Sequence, residues 1–546
     1  MNISFRKLLP FLLLILNFGC QSNTIETKFG ENPPPIIAPF EGIDTLAIND
    51  WWNRDQGPII NMIVDRSEVI AFGIYTVSNH TLKLSAQLFP LYPEESREVK
   101  LEIKEGEEWK HIQTQKVNDL GWSALFRVEN WDDSKDISYR ISHGDQASFE
   151  GLIRKDPKDK NEILVAALSC NSNKDRGNRE NYVRNINFQN PDLMFFAGDQ
   201  SYDHTEHTAA WLKFGMQFRE LFRNRPAITI PDDHDIGQGN LWGENGKVAP
   251  IRDGADGGYF YHPEYVKMVE RCQTSHLPDP YDPSPIEQGI GVYYTNLVLG
   301  DVDFAIIEDR KFKSGPRNKI PQIGPRPDHV NDPNYNPASV DLEGLVLLGD
   351  RQLQFLEDWG TNKSENKMKA VLSQTGFCGG AHLHGSKENR LHADMDSNGW
   401  PQTGRNRALE IIRKANAVHI AGDQHLATVI QHGIDDYNDG PWAFVVPAIV
   451  NDYYSRWWWP EDEKPGENGN NLLPWTGRYL DGFNNKITMH AYVNPDSPSS
   501  GAGYGLIRFK PANNEVTFEC WAREADVSRT DARQFTGWPI TVSLQN

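Results

Sequence analysis

Cysteine is scarce in this chain, with five in 546 residues, at positions 20, 170, 272, 378 and 520. That density excludes a disulfide scaffold and leaves room for a single bridge whose partners the sequence does not name. Positive charge is also short. Lys and Arg number 55 against 75 Asp and Glu, for a formal net charge of −20. Without a basic excess, nucleic-acid binding through a charged surface is disfavoured. An anionic substrate would need metal ions or a few placed Arg and Lys residues. Long apolar runs are missing after the first twenty or so residues, so no later membrane span is expected. Wholesale disorder is excluded too, because 38% of the residues are hydrophobic and 24% charged, a globular balance.

The N-terminus, "MNISFRKLLPFLLLILNFGCQSN", pairs Arg6 and Lys7 with the short apolar run Leu8 to Leu16. It fits an export signal better than a span. Cys20 directly follows Gly19 and resembles the cleavage box of a bacterial lipoprotein, with the usual Leu one place early at Leu16. The expectation is a signal over 1–20, a lipidated Cys20 and attachment to a membrane by that lipid. An ordinary cleaved signal and a retained anchor are the alternatives. Residues 21–44 are polar and then Pro-rich, and read as a tether.

From 45 to 155 the chain alternates in short runs, among them "VIAFGIYTV", "REVKLEIKEG" and "ISYRISHG". That pattern predicts an antiparallel β-sandwich without a cluster of acids or histidines. From 160 to 546 the style changes. "EILVAALSC" is continuously apolar, as a strand buried on both faces must be. "TAAWLKFGMQFRELFRN" spaces Trp211, Phe214, Phe218, Leu221 and Phe222 as a helix does. "TNLVLGDVDFAIIEDRK" reads as a hairpin, and "LGDRQLQFLEDWG" and "GRNRALEIIRKAN" as helices. Strands and helices mix over this stretch, which predicts one large α/β domain. Long surface loops are expected at 237–258, 314–341 and 460–475.

Four segments share one grammar, an apolar strand that ends in ligand-type side chains. They are "LVAALSCNS", "LMFFAGDQSYDH", "AITIPDDHDIGQGN" and "AVHIAGDQHLA". In open α/β sheets, sites form beyond the carboxyl ends of strands. Convergence of these ends would assemble Cys170, Asp199, Tyr202, Asp232, Asp233, His234, Asp235, Asp423 and His425. Carboxylates suit hard cations, and a thiolate with a phenolate suits trivalent iron. A Gly-Asp pair alone is only a turn. The chain repeats one at Gly144-Asp145, among alternating strands, and another at Gly300-Asp301 that fits a hairpin turn, and both read as structural. His204 and His207 form an H-x-x-H pair that reads as a helix start at the surface, with a separate zinc site as the other reading. "YYSRWWWPED" reads as core packing or as an aromatic platform for sugars.

At these motifs the sequence resembles the alkaline phosphatase D (PhoD-like) family of metallophosphoesterases. The residues that carry the resemblance are Ser169-Cys170, Gly198-Asp199-Gln200-Ser201-Tyr202, Asp232-Asp233-His234-Asp235 and Gly422-Asp423-Gln424-His425. Weaker echoes surround Asp309-Arg310, Gln352 and Trp400. Pro231 stands where the family usually has Trp. The resemblance implies a metallophosphoesterase-like mixed β-sheet sandwich flanked by helices, behind an Ig-like β-sandwich. It implies Fe3+ held by Cys170, Asp199 and Tyr202, completed by Asp423 or a neighbour. It also implies Ca2+ held by carboxylates such as Asp199, Asp233 and Asp423, with His425 close by. The expected reaction is hydrolysis of a phosphate ester by a metal-activated hydroxide, with His234 protonating the leaving oxygen and Arg310 clamping a phosphoryl oxygen. Two rivals stand beside it: a surface hydrolase of a sulfate or phosphate ester on a polysaccharide, and a lipoprotein that only binds a ligand.

Overall fold

The computed structural model describes residues 52–54, 57–362, 367–460, 465–469 and 472–544. The signal, Cys20 and the tether lie outside the described residues. Among the described residues no helix is long and apolar enough to cross a membrane.

Residues 70–153 form two antiparallel sheets. One orders Ile70–Ser78, Thr81–Leu88 and Ser123–Glu129, and the other orders Glu108–Lys116, Glu98–Glu105, Ile137–His143 and Ala147–Ile153. Alternation explains the second sheet. Ile137, Tyr139, Ile141 and His143 are buried while the residues between them are half-buried, the period of a strand with one face on a core. The last strand, Ala147–Ile153, pairs with Ile137–His143 across the turn at Gly144-Asp145, a strand that the sequence reading did not separate.

Ile70–Ser78 behaves differently, since all nine of its residues are buried. Its second face lies against the helix His207–Phe222 of the following region. Phe72 packs edge-on to Trp211, with ring centroids 5.6 Å apart. The helix can approach because Gly215 has no side chain: a Cβ there would stand 1.8 Å from Phe72 Cε1. One apolar core therefore runs without a break from the N-terminal sandwich into the α/β region, where the sequence suggested two modules.

The α/β region is two mixed sheets face to face. The first orders Ala227–Thr229, Leu193–Phe196, Ile163–Asn171, Gly503–Lys510, Glu515–Ala522 and Ile540–Ser543, with Ala448–Val450 also paired to Ile163–Asn171. The second orders Thr295–Leu299, Val302–Ile306, Met368–Thr375, Ala417–Gly422, Trp442–Val445, Ala427–His432, Lys486–Val493 and Gly477–Leu480. Val165, Phe195, Ile228, Phe304, Leu372, Ile420, Phe444 and Ile507 fill the space between them, so the motif strands read as apolar throughout. The expected hairpin at 295–306 and the expected helices form as Asp350–Thr361 and Gln402–Lys414.

Strand direction positions the site. Ile163–Asn171, Leu193–Phe196 and Ala227–Thr229 run parallel. Met368–Thr375 and Ala417–Gly422 do the same in the facing sheet. Their carboxyl ends emerge on one side, where Asp423 N–H donates to Ser169 Oγ at 3.1 Å and ties the two sheets together.

Candidate metal centre

Three of the four motif strands end in a tight reversal. Cys170, Asp199, Asp423 and His425 all have positive φ, at 57°, 57°, 64° and 50°. Non-glycine residues persist there only when their surroundings hold them, and such residues gather at functional sites. The two glycines before the aspartates have different causes. Gly198 has a φ of +103°, and a Cβ on it would stand 2.5 Å from Asp232 Cβ. Gly422 is held by space alone, because a Cβ there would meet Ser169 Oγ at 2.1 Å and Ala197 Cβ at 3.0 Å. Glycine lets three chain segments come that close.

The donors converge around Asp199. Ligand-type atoms of Cys170, Asp199 and His425 lie within 4.8 Å of one another; so do those of Asp199, Asp233 and His234, and those of Asp199, Asp232, Asp233 and Asp423. Asp199 belongs to all three groups. Tyr202 completes the first: its hydroxyl donates to Asp199 Oδ2 at 2.7 Å and lies 2.7 Å from His425 Nε2. His425 rather than Asp423 thus joins Cys170 and Asp199, while Asp423 stands with the carboxylates. His425 is held in turn by the Tyr453 carbonyl, 2.6 Å from Nδ1.

The donor set fits metal ions. Asp199 Oδ1 is buried and has no hydrogen-bond partner, a costly state for a carboxylate unless a cation takes it. Burial first, and neighbouring carboxylates next, push Asp199 well above the usual carboxylate range. Burial followed by Asp199 raises the Tyr202 phenol as well, and burial with Asp199 and Asp423 raises the Cys170 thiol. Donors of this kind ionise when a cation replaces the proton.

The "DDHD" run divides its labour. Asp232 caps the short helix Asp233–Ile236, and the Asp235 carboxylate accepts from the backbone N–H groups of Asp199 at 2.8 Å, Gln200 at 3.0 Å and Asp232 at 2.9 Å. Asp235 is therefore a brace that fixes the turn carrying Asp199. Asp233 and His234 face the cluster. Burial, and then His204 and His425, hold His234 well below the usual imidazole value. The ring sits among ligand-type atoms, so a ligand role stands beside the proton-donor role expected for it. Its Nδ1 lies 2.6 Å from Nε2 of His204, and the two rings stack with centroids 4.9 Å apart. His207 opens its helix as expected, but it is buried and bonds Gln273. The H-x-x-H pair is split between the cluster and the core, and no surface role is left for His207.

Arg310 corrects another expectation. Its side chain is 2% exposed and its guanidinium is committed: Nε to Asp232 Oδ1 at 2.7 Å, Nη1 to Asp396, and Nη2 to Asp423 Oδ1 at 3.1 Å. A residue so engaged holds the acidic wall together and leaves no free fork for a phosphoryl oxygen. The sequence reading missed the better candidate. Arg456, inside "YYSRWWWPED", is 7% exposed, and its Nε and Nη1 have no hydrogen-bond partner. Nη1 lies 3.9 Å from Asp423 Oδ2. An arginine flanked by aromatics reads as packing, so the run itself hid it. The weaker echoes are structural: Gln352 bonds the Glu308 backbone and Trp400 donates to the Val340 carbonyl at 2.6 Å.

Comparison with known proteins follows the same line. A family model described as "PhoD-like phosphatase" matches residues 210–456. The chain carries a PhoD-like phosphatase domain. A solved structure described as that of PhoD superposes with a TM-score of 0.62 at 15% identity, covering 88% of this chain and 92% of that one. A purple acid phosphatase from seeds of yellow lupin (Lupinus luteus) superposes with a TM-score of 0.52 at 12% identity, covering 86% and 73%. At such identities the likeness concerns the fold, a metallophosphoesterase-like sandwich behind an N-terminal β module. No curated protein matches by sequence.

Proposed function

We propose that this PhoD-like protein is an exported phosphoesterase that works with Fe3+ and Ca2+. The observation that carries the reading is the sharing of Asp199 by three groups of ligand-type atoms, one of thiol, phenol and imidazole character and the others rich in carboxylates. Cys170, Asp199, Tyr202 and His425 would hold the iron, and Asp199, Asp232, Asp233 and Asp423 the calcium, with His234 at the edge. When bound, such ions neutralise phosphate charge and make water acidic enough to attack phosphorus.

The remaining tasks fall to the chain. Arg310 keeps Asp232, Asp396 and Asp423 in place against their mutual repulsion. Arg456, whose Nε and Nη1 make no hydrogen bond and whose ion pairs to Asp394, Asp396 and Asp423 are long at 3.8–3.9 Å, would turn to a phosphoryl oxygen, the contact first expected of Arg310. His234, whose Nδ1 lies 2.6 Å from His204 Nε2, would protonate the leaving oxygen from its charged ring and be left neutral. Export and a lipid on Cys20 rest on the N-terminal sequence alone.

A panel of phosphomonoester, phosphodiester and sulfate-ester chromogens, read before and after chelation and alongside metal analysis, tests this reading. Hydrolysis of a phosphate ester that chelation abolishes supports it. Turnover that survives complete removal of metal refutes it, and sulfate-ester hydrolysis alone would move the substrate to the polysaccharide rival.

A further inference from the structure

A second group of ligand-type side chains lies away from Asp199. Asp328, His329 and Asp394 are buried, and their donor atoms fall within 4.8 Å of one another. Two crossing strand pairs build the group. His329–Val330 pairs antiparallel with Ala393–Asp394, and Leu383–His384 pairs with Arg456–Trp457. The loop at 314–341, the segment at 383–394 and the aromatic segment at 453–457 therefore meet at one point.

An independent observation points to a ligand. His384 is 2% exposed, and neither of its ring nitrogens makes a hydrogen bond of good geometry, the Ala381 backbone being the weakest influence on the ring. Its Nδ1 stands 3.6 Å from Asp394 Oδ2, and its ring centroid lies 6.2 Å from that of His329. A buried imidazole is expected to use at least one nitrogen. The carboxylates are held for the purpose. Asp328 Oδ2 accepts from Asn240 Nδ2 at 2.9 Å, and Asp394 Oδ1 accepts from the backbone of Asp396 at 3.0 Å. Arg326 reaches Asp328 from the surface at 3.0 Å, with half of its side chain exposed, so it can swing away and open a path.

We propose that His329, His384, Asp328 and Asp394 form a zinc site separate from the Asp199 cluster. Two imidazoles with two carboxylates suit Zn2+ and not Ca2+, which prefers oxygen throughout. Donors around tetrahedral zinc lie about 3.3 Å apart, as bonds of about 2.0–2.1 Å require. The 3.6 Å between His384 and Asp394 and the 3.3 Å between His329 and Asp328 are close to that spacing, and the two pairs would draw together on a shared ion. Arg456 lies directly opposite His384 in its strand pair, with Nη2 3.9 Å from Asp394 Oδ2 and Nη1 3.9 Å from Asp423 Oδ2, so it stands between the two groups. Zinc here would brace the segment that carries this arginine.

The experiment is zinc-edge anomalous diffraction on the wild-type protein soaked in zinc chloride, with zinc stoichiometry in solution for wild type, His329→Ala and His384→Ala. The expected result is an anomalous peak between His329, His384 and Asp394, together with loss of one zinc equivalent in each variant. Iron and calcium content should stay unchanged. No peak at that position overturns the proposal. So does a peak in the crystal without any zinc equivalent lost in the variants, because that would be an adventitious ion only. If a variant fails to fold, the wild-type map decides alone.

Discussion

The tripeptide Gly-Asp-Gln occurs at 144–146, 198–200 and 422–424, and replacing each glycine by alanine makes a matched test of what the motif means. At Gly144 φ is +55° and nothing lies within 4 Å of the added Cβ. Gly144→Ala should cost only the left-handed backbone penalty, about 1–2 kcal/mol, and leave kcat unchanged. Gly198 has a φ of +103°, and its added Cβ would meet Asp232 Cβ at 2.5 Å. The same penalty applies, and crowding adds about 1–3 kcal/mol, for a total of about 2–5 kcal/mol. The atom in the way belongs to a residue fixed by its own cap and by Arg310, so relief must come from moving Asp199 or Asp232. A displacement of about 1 Å in a catalytic group costs on the order of 100-fold in rate, and Gly198→Ala should lose that much kcat together with bound metal. Gly422→Ala has no backbone penalty but places a Cβ 2.4 Å from Ser169 Cβ, so it should lose about 1–3 kcal/mol and a comparable share of activity. Chemical denaturation, metal analysis and steady-state hydrolysis of a phosphodiester chromogen read the three variants. Wild-type kcat and metal content in Gly198→Ala would refute the reasoning, and so would an equal loss in Gly144→Ala.

Asp233→Ala should abolish turnover while circular dichroism stays native; activity near wild type would remove Asp233 from the centre. Arg456→Met should lower kcat/KM by about 10- to 100-fold, matching the ~1.5–3 kcal/mol of a charge-assisted hydrogen bond, with metal content retained; unchanged kcat/KM counts against the clamp. Arg310→Met should instead lose stability by about 3–5 kcal/mol, the usual effect of breaking a buried ion pair, and denaturant titration reads it. His234→Ala separates two roles by leaving group: a lost proton donor spares p-nitrophenyl esters relative to alkyl esters, whereas a lost ligand lowers both along with metal content. Burial pulls the imidazoles of His276 and His419 down to about 3. The unfolded chain therefore binds more protons between about pH 3 and 6.5, and stability should fall as pH drops through that window by about 1.4 kcal/mol per unit for each group. His276→Gln should flatten the thermal midpoint against pH, and an identical slope would contradict the assignment.

The sequence made the scaffold legible because the strands that carry the site are buried on both faces. "EILVAALSC" and "AVHIAGDQH" show an unbroken apolar run ending in polar residues, and that edge is where Cys170, Asp423 and His425 stand. The joint core of the two modules was not legible, since Gly215 under Phe72 is an ordinary glycine until the helix is placed. Arg310 and Arg456 show the same limit in the site. A motif reveals that an arginine lies near the acids but not how many of its nitrogens are taken. Arg310 carried the motif and is spent on carboxylates. Arg456 sat unnoticed among aromatics, and its ion pairs are long enough to leave Nε and Nη1 without a hydrogen bond. His329 and His384 are 55 positions apart in the numbering, and neither has a spacing that suggests a ligand pair; only the crossing of two short strand pairs brings them together.

The charge balance of the centre also bears on how so acidic a protein could take an anionic substrate. Asp199, Asp232 and Asp233 are all pushed well above the usual carboxylate range, with burial as the first cause. Arg310 works against that rise at Asp232 and Asp233 without cancelling it. Arg310, shared among Asp232, Asp396 and Asp423, and Arg456, 3.8–3.9 Å from Asp394, Asp396 and Asp423, do not satisfy every buried carboxylate, and Asp199 Oδ1 is left with no hydrogen bond. Such a pocket must take up either protons or cations. With protons it stays neutral and has little attraction for phosphate. Loaded with multivalent cations it would become locally positive on a chain of net charge −20 and would attract phosphate where the acids around it do not. The acidity that disfavours a nucleic-acid surface would thus leave a metal-loaded centre as the place to attract a phosphate ester.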